Sequence, residues 1–358
     1  MHLSELRIAD FRNIEQVELE LSPRWNFFVG ANGSGKTSLL EAAYVLSHGR
    51  SFRATAKEAL IRWGRAEYTV FGELVRSAGR VGVGISRGGG GLEARVGGAS
   101  VPIAELMRGV AVLCFEPGSH ELISGTSEER RRFLDWGVFH VEHDFLALWR
   151  RYQRALRQRN LLLRLSPTAA DLDAWDRELV AAGEPMTVMR RRYFDALRPL
   201  LDDVLRRLLT ELGEPRVVFH GGFGADLAFA DVLQQQRGRD GARGFTGDGP
   251  HRADWTLLFE RAPRRDHLSR GQEKLCAFAC VAAQAMLHAA STGEWPVLCL
   301  DDLASELDPA HQRKVLALVA EIPVQVLATG TSEPEEWGRL TASPATFHVE
   351  QGRASRLL

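Results

Sequence analysis

The chain opens in a strand-like pattern of apolar and polar positions. Leu3–Ile8 carries apolar residues at 3, 6 and 8, Val17–Leu21 alternates with acids, and Trp25–Val29 runs into glycine, so three strands are predicted. A helix is predicted over Thr37–Ser47. Alternation returns through Val81, Val83 and Ile85 and again through Leu92, Ala94 and Val96, on either side of Gly88-Gly89-Gly90-Gly91. This pattern reads as a β-hairpin with a glycine tip, where the glycines serve a turn and not a phosphate. An apolar strand is predicted over Val110–Phe115.

Near residue 125 the period changes from two to 3.6. Phe145, Leu148, Trp149, Tyr152 and Leu156 recur at helical spacing, giving an amphipathic helix of about 20 residues, roughly 30 Å long. Ser166-Pro167 ends it. A second pattern through Leu172, Trp175 and Leu179 is disturbed at Gly183 and Pro185 and resumes through Leu197, Leu200, Leu201, Val204 and Leu208. Two helical stretches around a proline turn predict an antiparallel arm. From Glu211 strand and turn signals return, with a polar loop expected at Gln234–Gly249. A helix from Gly271 to Ala290, a strand Val297–Leu300, a helix Pro309–Glu321 and a strand Val324–Ala328 follow. The expected organisation is a β-rich lobe over 1–124, a helical insertion over 125–210 and an α/β lobe over 211–358.

The totals change this picture little: of 358 residues, 45% are hydrophobic and 25% charged, ordinary for a globular chain with ample core. The net charge of −1 excludes a general polycation, so any nucleic-acid contact must come from a local basic face. Residues 130–207 offer one, with sixteen arginines against eleven acids, a balance of +5. The clusters are Arg130-Arg131-Arg132, Arg150–Arg159 and Arg190-Arg191-Arg192. Charge alone reads equally as a phosphate-binding face and as solvated helices laced with i,i+4 ion pairs. Cys114, Cys276, Cys280 and Cys299 lie in apolar runs without a CxxC pair, which suits buried reduced thiols better than zinc. Without a leader or a membrane-length apolar run, a cytoplasmic location is expected.

Candidate chemistry begins at Gly30-Ala31-Asn32-Gly33-Ser34-Gly35-Lys36-Thr37, a complete GxxxxGK[ST] phosphate loop between a strand and a helix. Its glycines let backbone N–H groups converge on phosphates at a helix N-terminus, Lys36 reaches the β/γ oxygens, and the Thr37 hydroxyl is a magnesium ligand. Such a loop requires an acid at the end of a second strand. Val297–Leu300 followed by Asp301-Asp302 supplies it, Asp301 for magnesium and Asp302 for the attacking water. More than 250 residues separate the two motifs, yet their strands are expected side by side in one sheet.

That separation resembles ABC and SMC ATPases, in which an insertion splits the nucleotide head. Leu268-Ser269-Arg270-Gly271-Gln272-Glu273-Lys274 resembles the ABC signature LSGGQ ahead of an apolar helix, with Arg270 in place of a glycine. Ser305-Glu306-Leu307-Asp308 resembles the D-loop. The resemblance implies that Ser269, Arg270, Gly271, Gln272 and Asp308 act in trans on ATP held by a second copy. Two departures imply slow turnover: Asp302 stands where transporters carry Glu, and Thr329-Gly330-Thr331 lies where their switch histidine falls.

The chain as a whole resembles the RecF family of bacterial recombination mediators. The resemblance rests on Asp10-Phe11-Arg12-Asn13, Gly49-Arg50-Ser51-Phe52-Arg53, Arg131-Arg132-Phe133-Leu134-Asp135, Gly249-Pro250-His251-Arg252-Ala253-Asp254, Leu268–Lys274 and Asp301–Asp308, in that order. It implies an α/β ABC/SMC-type head with a short helical arm, using ATP and Mg2+. It further implies an ATP-dependent homodimer on gapped DNA, working with RecR and RecO to load RecA. Arg12 and Asn13 are candidates for reaching the nucleotide, and His251 and Arg252 for nucleotide sensing, arm docking or plain packing. No role is carried to Arg53, to Phe115-Glu116, or to His120, His140 and His143. Two other readings remain open: an ABC-type subunit of another complex, and a nucleotide-gated scaffold with negligible hydrolysis.

Overall fold

The computed structural model describes residues 1–53, 57–165, 168–224, 226–332 and 344–357. The chain divides into two compact units, Met1–Ser119 with Arg270–Leu358, and His120–Ser269. The first unit begins with β1 (His2–Phe11), β2 (Ile14–Glu20), β3 (Trp25–Val29) and α1 (Lys36–His48). It continues through β4 (Tyr68–Arg76), β5 (Gly79–Gly88), β6 (Gly91–Val96), β7 (Ala99–Val101), α2 (Ile103–Gly109) and β8 (Val112–Phe115). The second unit holds α3 (Glu121–Ser124), α4 (Ser127–Val141), α5 (Phe145–Leu163), α6 (Ala169–Leu208), β9 (Pro215–His220), α7 (Phe229–Arg243) and β10 (Asp254–Phe259). The first then resumes with α8 (Arg270–Thr292), β11 (Val297–Leu300), α9 (Leu303–Glu306), α10 (Pro309–Glu321), β12 (Gln325–Gly330), β13 (Ala345–Glu350) and β14 (Arg353–Arg356).

Two sheets build the first unit. One is antiparallel, in the order β2-β1-β4-β5-β6-β7, and its alternating strands bury one face. The other has the order β14-β13-β3-β12-β11-β8, parallel from β13 to β8. Helix α1 shares one apolar cluster with both: Leu39, Leu40, Ala43 and Leu46 lie with Leu6, Ile8 and Val70 of the first sheet and with Phe28, Leu327 and Phe347 of the second. Helix α8 is long and apolar enough to cross a membrane, but most of it is buried here, packed against β8. The strands of the phosphate loop and of Asp301 are not neighbours as expected. β12 lies between them, pairing Thr329 with Phe28 on one side and Ala328 with Leu300 on the other.

The second unit is helical around the antiparallel pair β9-β10. Helices α5 and α6 run antiparallel, with Arg151 facing Glu178 and Arg159 facing Asp176. The break expected at Ser166-Pro167 lies outside the described residues. No interruption occurs at Gly183 or Pro185: α6 is one helix of 40 residues carrying Pro185 and Pro199 inside it. Gly183 is a packing residue, since a Cβ there would stand 3.0–3.1 Å from Tyr152, Phe229 and Pro250. The loop expected at Gln234–Gly249 is helical up to Arg243. The return to the first unit comes at Ser269/Arg270 instead of 210/211, so β9, α7 and β10 all belong to the second unit.

Candidate functional site

The parallel sheet delivers three strand ends to one edge. After β3 the chain turns through Gly30–Gly35 into α1. Gly33 and Gly35 take φ of +80° and +114°, which a side chain disfavours, and Gly30 leaves no room for one: a Cβ would lie 2.1 Å from the Val349 carbonyl oxygen. Lys36 is buried and its Nζ donates to the carbonyl oxygens of Gly30 (2.7 Å) and Ala31 (2.9 Å). Burial pulls the Lys36 pKa down, against the pull of Asp302 and Asp301. The loop is thus a ring of backbone closed by its own cation, a geometry suited to anions.

From β11, Asp301 arrives beside Thr37. The Thr37 hydroxyl donates to Asp301 Oδ1 at 3.0 Å, and the Thr329 hydroxyl at the end of β12 donates to the same oxygen at 2.7 Å. Burial raises the Asp301 pKa, opposed by the hydrogen bonds from Thr329 and Thr37. The Thr37–Asp301 spacing fits two adjacent ligands of magnesium, whose bonds of 2.0–2.1 Å at right angles place neighbouring oxygens about 2.9 Å apart. Asp302 follows in a left-handed conformation, φ 50°, its N–H donating to Thr329 Oγ1 at 2.8 Å. Its Oδ1 is buried with no hydrogen-bond partner among the described residues, as is Ser34 Oγ. An unsatisfied buried carboxylate oxygen beside a phosphate loop is an open acceptor that a water or ligand can fill.

These groups surround a cavity of about 700 Å3. Asn32, Gly33, Gly35, Lys36, Thr37, Asp302 and Thr329 line it, together with Arg12, Asn13, Ser38, Arg53, Ala59 and Ile61. Arg12 is held in place by two bonds to Glu41 (2.8 and 2.7 Å) and one to the Ala59 carbonyl (2.9 Å). Glu41 is fully buried in α1 and also accepts from Ser51. Asn13 Oδ1 accepts from Ser38 at 3.0 Å. Glu41, Ser38 and Thr329 were not singled out from sequence as site residues. The acid at 41, on the inward face of a predicted apolar helix, was the available signal for the first.

The remaining candidates do not line this cavity. Ser269 ends the second unit and is exposed, and Arg270, also exposed, starts α8 with Gly271 and Gln272 in its first turn. Asp308 caps α10, accepting from the N–H groups of Ala310 (2.9 Å) and His311 (3.0 Å). Lys274 links the first turns of α8 to the D-loop-like run, bonding the Glu306 carboxylate at 2.8 Å and its carbonyl at 3.0 Å. His251 is bonded to two partners within the second unit. Its Nε2 donates to the Thr246 carbonyl (3.1 Å), which can only accept, so Nδ1 accepts from the Tyr152 hydroxyl (2.7 Å).

The arginine clusters separate sharply. Arg130 is buried on Asp254, Arg159 on Asp176 and Asp240, and Arg190 on Asp135. Arg132, Arg151 and Arg192 are surface cations paired with Glu128, Glu178 and Glu142. Much of the local positive balance is therefore structural.

Comparison with known proteins extends these observations. The N-terminal residues 2–79 match the model of the RecF/RecN/SMC N-terminal domain. The chain is 45% identical to the DNA replication and repair protein RecF of Xanthomonas euvesicatoria pv. vesicatoria (strain 85-10) over 99% of both chains. It is 44% identical to the protein of that name from Stenotrophomonas maltophilia (strain R551-3), again over 99% of both. The fold matches a solved structure of the recombination mediator protein RecF-ATP of the RecFOR pathway, with a TM-score of 0.89 over 100% of this chain and 98% of that one, at 24% identity. With such agreement from end to end, the chain belongs to the RecF family of DNA replication and repair proteins.

Proposed function

We propose that this chain is a cytoplasmic, ATP-dependent DNA-binding protein of recombinational repair. In this reading two copies close head to tail on gapped DNA and help RecR and RecO load RecA. Gly30–Thr37 of one copy and Ser269–Gln272 with Asp308 of the other enclose ATP. Lys36 leaves the carbonyls of Gly30 and Ala31 to meet the phosphates, and Thr37 and Asp301 would hold magnesium, which would supply neutralisation of phosphate charge. Asp302 orients the attacking water, and slow hydrolysis resets the dimer. The observation that carries the reading is the convergence of the Thr37 and Thr329 hydroxyls on one carboxylate oxygen of Asp301, beside a cavity lined by Lys36 and Asp302.

Sedimentation of the wild type and Lys36→Met, with and without ATP-Mg and a gapped duplex, tests it. Dimers are expected only for the wild type with ATP, and DNA should tighten them. A wild-type monomer indifferent to ATP would remove the head-to-tail dimer and return Leu268–Lys274 to the status of an ordinary helix start.

A further inference from the structure

We infer that the outer face of α5 is the surface on which this protein holds the phosphate backbone of DNA, through Arg150, Arg154, Arg157 and Arg164. This inference rests on the DNA-binding reading above and deepens it. All four side chains are exposed, and none makes an ion pair among the described residues, in contrast to Arg130, Arg132, Arg151, Arg159, Arg190 and Arg192. At about 100° per residue, positions 150, 154, 157 and 164 lie within about 40° of one direction. The opposite side carries Tyr152, Ala155, Leu156, Arg159 and Leu163, all buried. Arg164 caps the helix in helical conformation, so the line runs unbroken to its end. The fifth position of the stripe, Leu161, is 52% exposed and brings no opposing charge.

The dimensions suit a polyanion. Fourteen residues of helix rise about 21 Å, which is about six base pairs at 3.4 Å each. The line also continues beyond α5: a Cβ on Gly244 would stand 3.3 Å from Arg164 Cγ, which places the end of α7, with the exposed Arg239 and Arg243, against the same corner. Three acids of the facing helix α6 are already engaged, Glu178 by Arg151, Asp176 by Arg159 and Asp173 by Arg237. Unpaired arginine costs nothing to desolvate from a partner, whereas a paired one must first give up its carboxylate.

The test is the salt dependence of DNA affinity in ATP-Mg, on duplex and on single-stranded DNA. It compares wild type with the triple variant Arg154→Ala/Arg157→Ala/Arg164→Ala, the same three positions changed to Lys, and Arg132→Ala. The alanine variant is expected to lower the slope of log K against log salt by about 2.7 on duplex or about 2.1 on a single strand for each copy whose stripe meets the DNA, depending on which strand form the helix meets. The lysine variant should keep the wild-type slope, since charge and not hydrogen-bond shape is at stake, and Arg132→Ala should keep it because Arg132 is already paired. ATP binding should be the same in all four. A wild-type slope in the alanine variant overturns the inference and leaves the stripe to an acidic protein surface. A wild type that binds no DNA overturns the reading beneath it instead.

Discussion

Asp302 holds φ 50° and ψ 45° without being glycine, and its Oδ1 is buried without a partner among the described residues. Each condition costs stability, on the order of 1–3 kcal/mol for the backbone alone. A residue kept in that state at the rim of the cavity accords with the water-orienting role proposed for it above. Asp302→Asn tolerates the same backbone and is expected to slow single-turnover ATP hydrolysis by about 10²–10⁴-fold with ATP affinity unchanged. Asp302→Gly should lose the same rate and gain about 1 kcal/mol in stability. Undiminished hydrolysis in both variants would take the water-orienting role from Asp302. The neighbouring Thr329 shows where reading the sequence stopped. It was visible only as the position where a histidine is missing. Its contact with Asp301 depends on β12 lying between β3 and β11, a strand order that motif spacing does not encode.

Helices were legible wherever an apolar stripe builds them and illegible where ions do. The pattern of α5 reads directly from Phe145 to Leu156. In α7 only Phe229, Val232 and Leu233 are buried apolar residues, and its C-terminal half is fastened by Arg159 to Asp240 and by Arg237 to Asp173 and Asp176. Three glutamines and two glycines then look like a loop, because periodicity weighs hydrophobicity alone. Arg159 is the pin of this part of the second unit, with bonds of 2.6 Å to Asp176, 2.7 Å to Asp240 and 2.8 Å to Thr246. Arg159→Ala leaves Asp240 buried without its cation and Asp176 with Arg237 alone, and should cost about 3–5 kcal/mol, seen as early unfolding of this unit in urea. Arg159→Met, which refills the volume, should not recover the loss. Equal stability of Arg159→Ala and the wild type would show that packing alone holds α7.

At the scale of the whole molecule, both units bury neutral histidines. Burial lowers the pKa of His251 to about 4, of His288 to about 4 and of His48 to about 3. In the unfolded chain each returns to about 6.5. Between those values the unfolded state binds protons that the folded state refuses, so stability rises with pH there. The contribution is complete above about pH 6.5 and is lost as pH falls toward 4, by about 1–2 kcal/mol per histidine at pH 5. Urea midpoints measured at pH 7.5 and pH 5 should therefore drop in both units, and a midpoint unchanged over that range would mean that these rings are not held neutral.

β3 is flanked on both sides by strands from the far end of the chain, β12 and β13, with Trp25 paired to Val326 and Phe28 to Phe347. A ribosome making this protein releases the strand that carries the phosphate loop about 300 residues before either of its partners exists. At about 5–20 residues per second that is a wait of roughly 15–60 seconds. During it, Trp25, Phe27 and Phe28, all buried in the finished protein, stand uncovered on the nascent chain. The second unit, contiguous in sequence, can complete itself in that interval, so the sheet edge that joins Gly30–Thr37 to Asp301 is the last part of the molecule to be born. A truncated message yields a finished helical unit tethered to half a head, unable to form the phosphate site and carrying a sticky, unpaired strand.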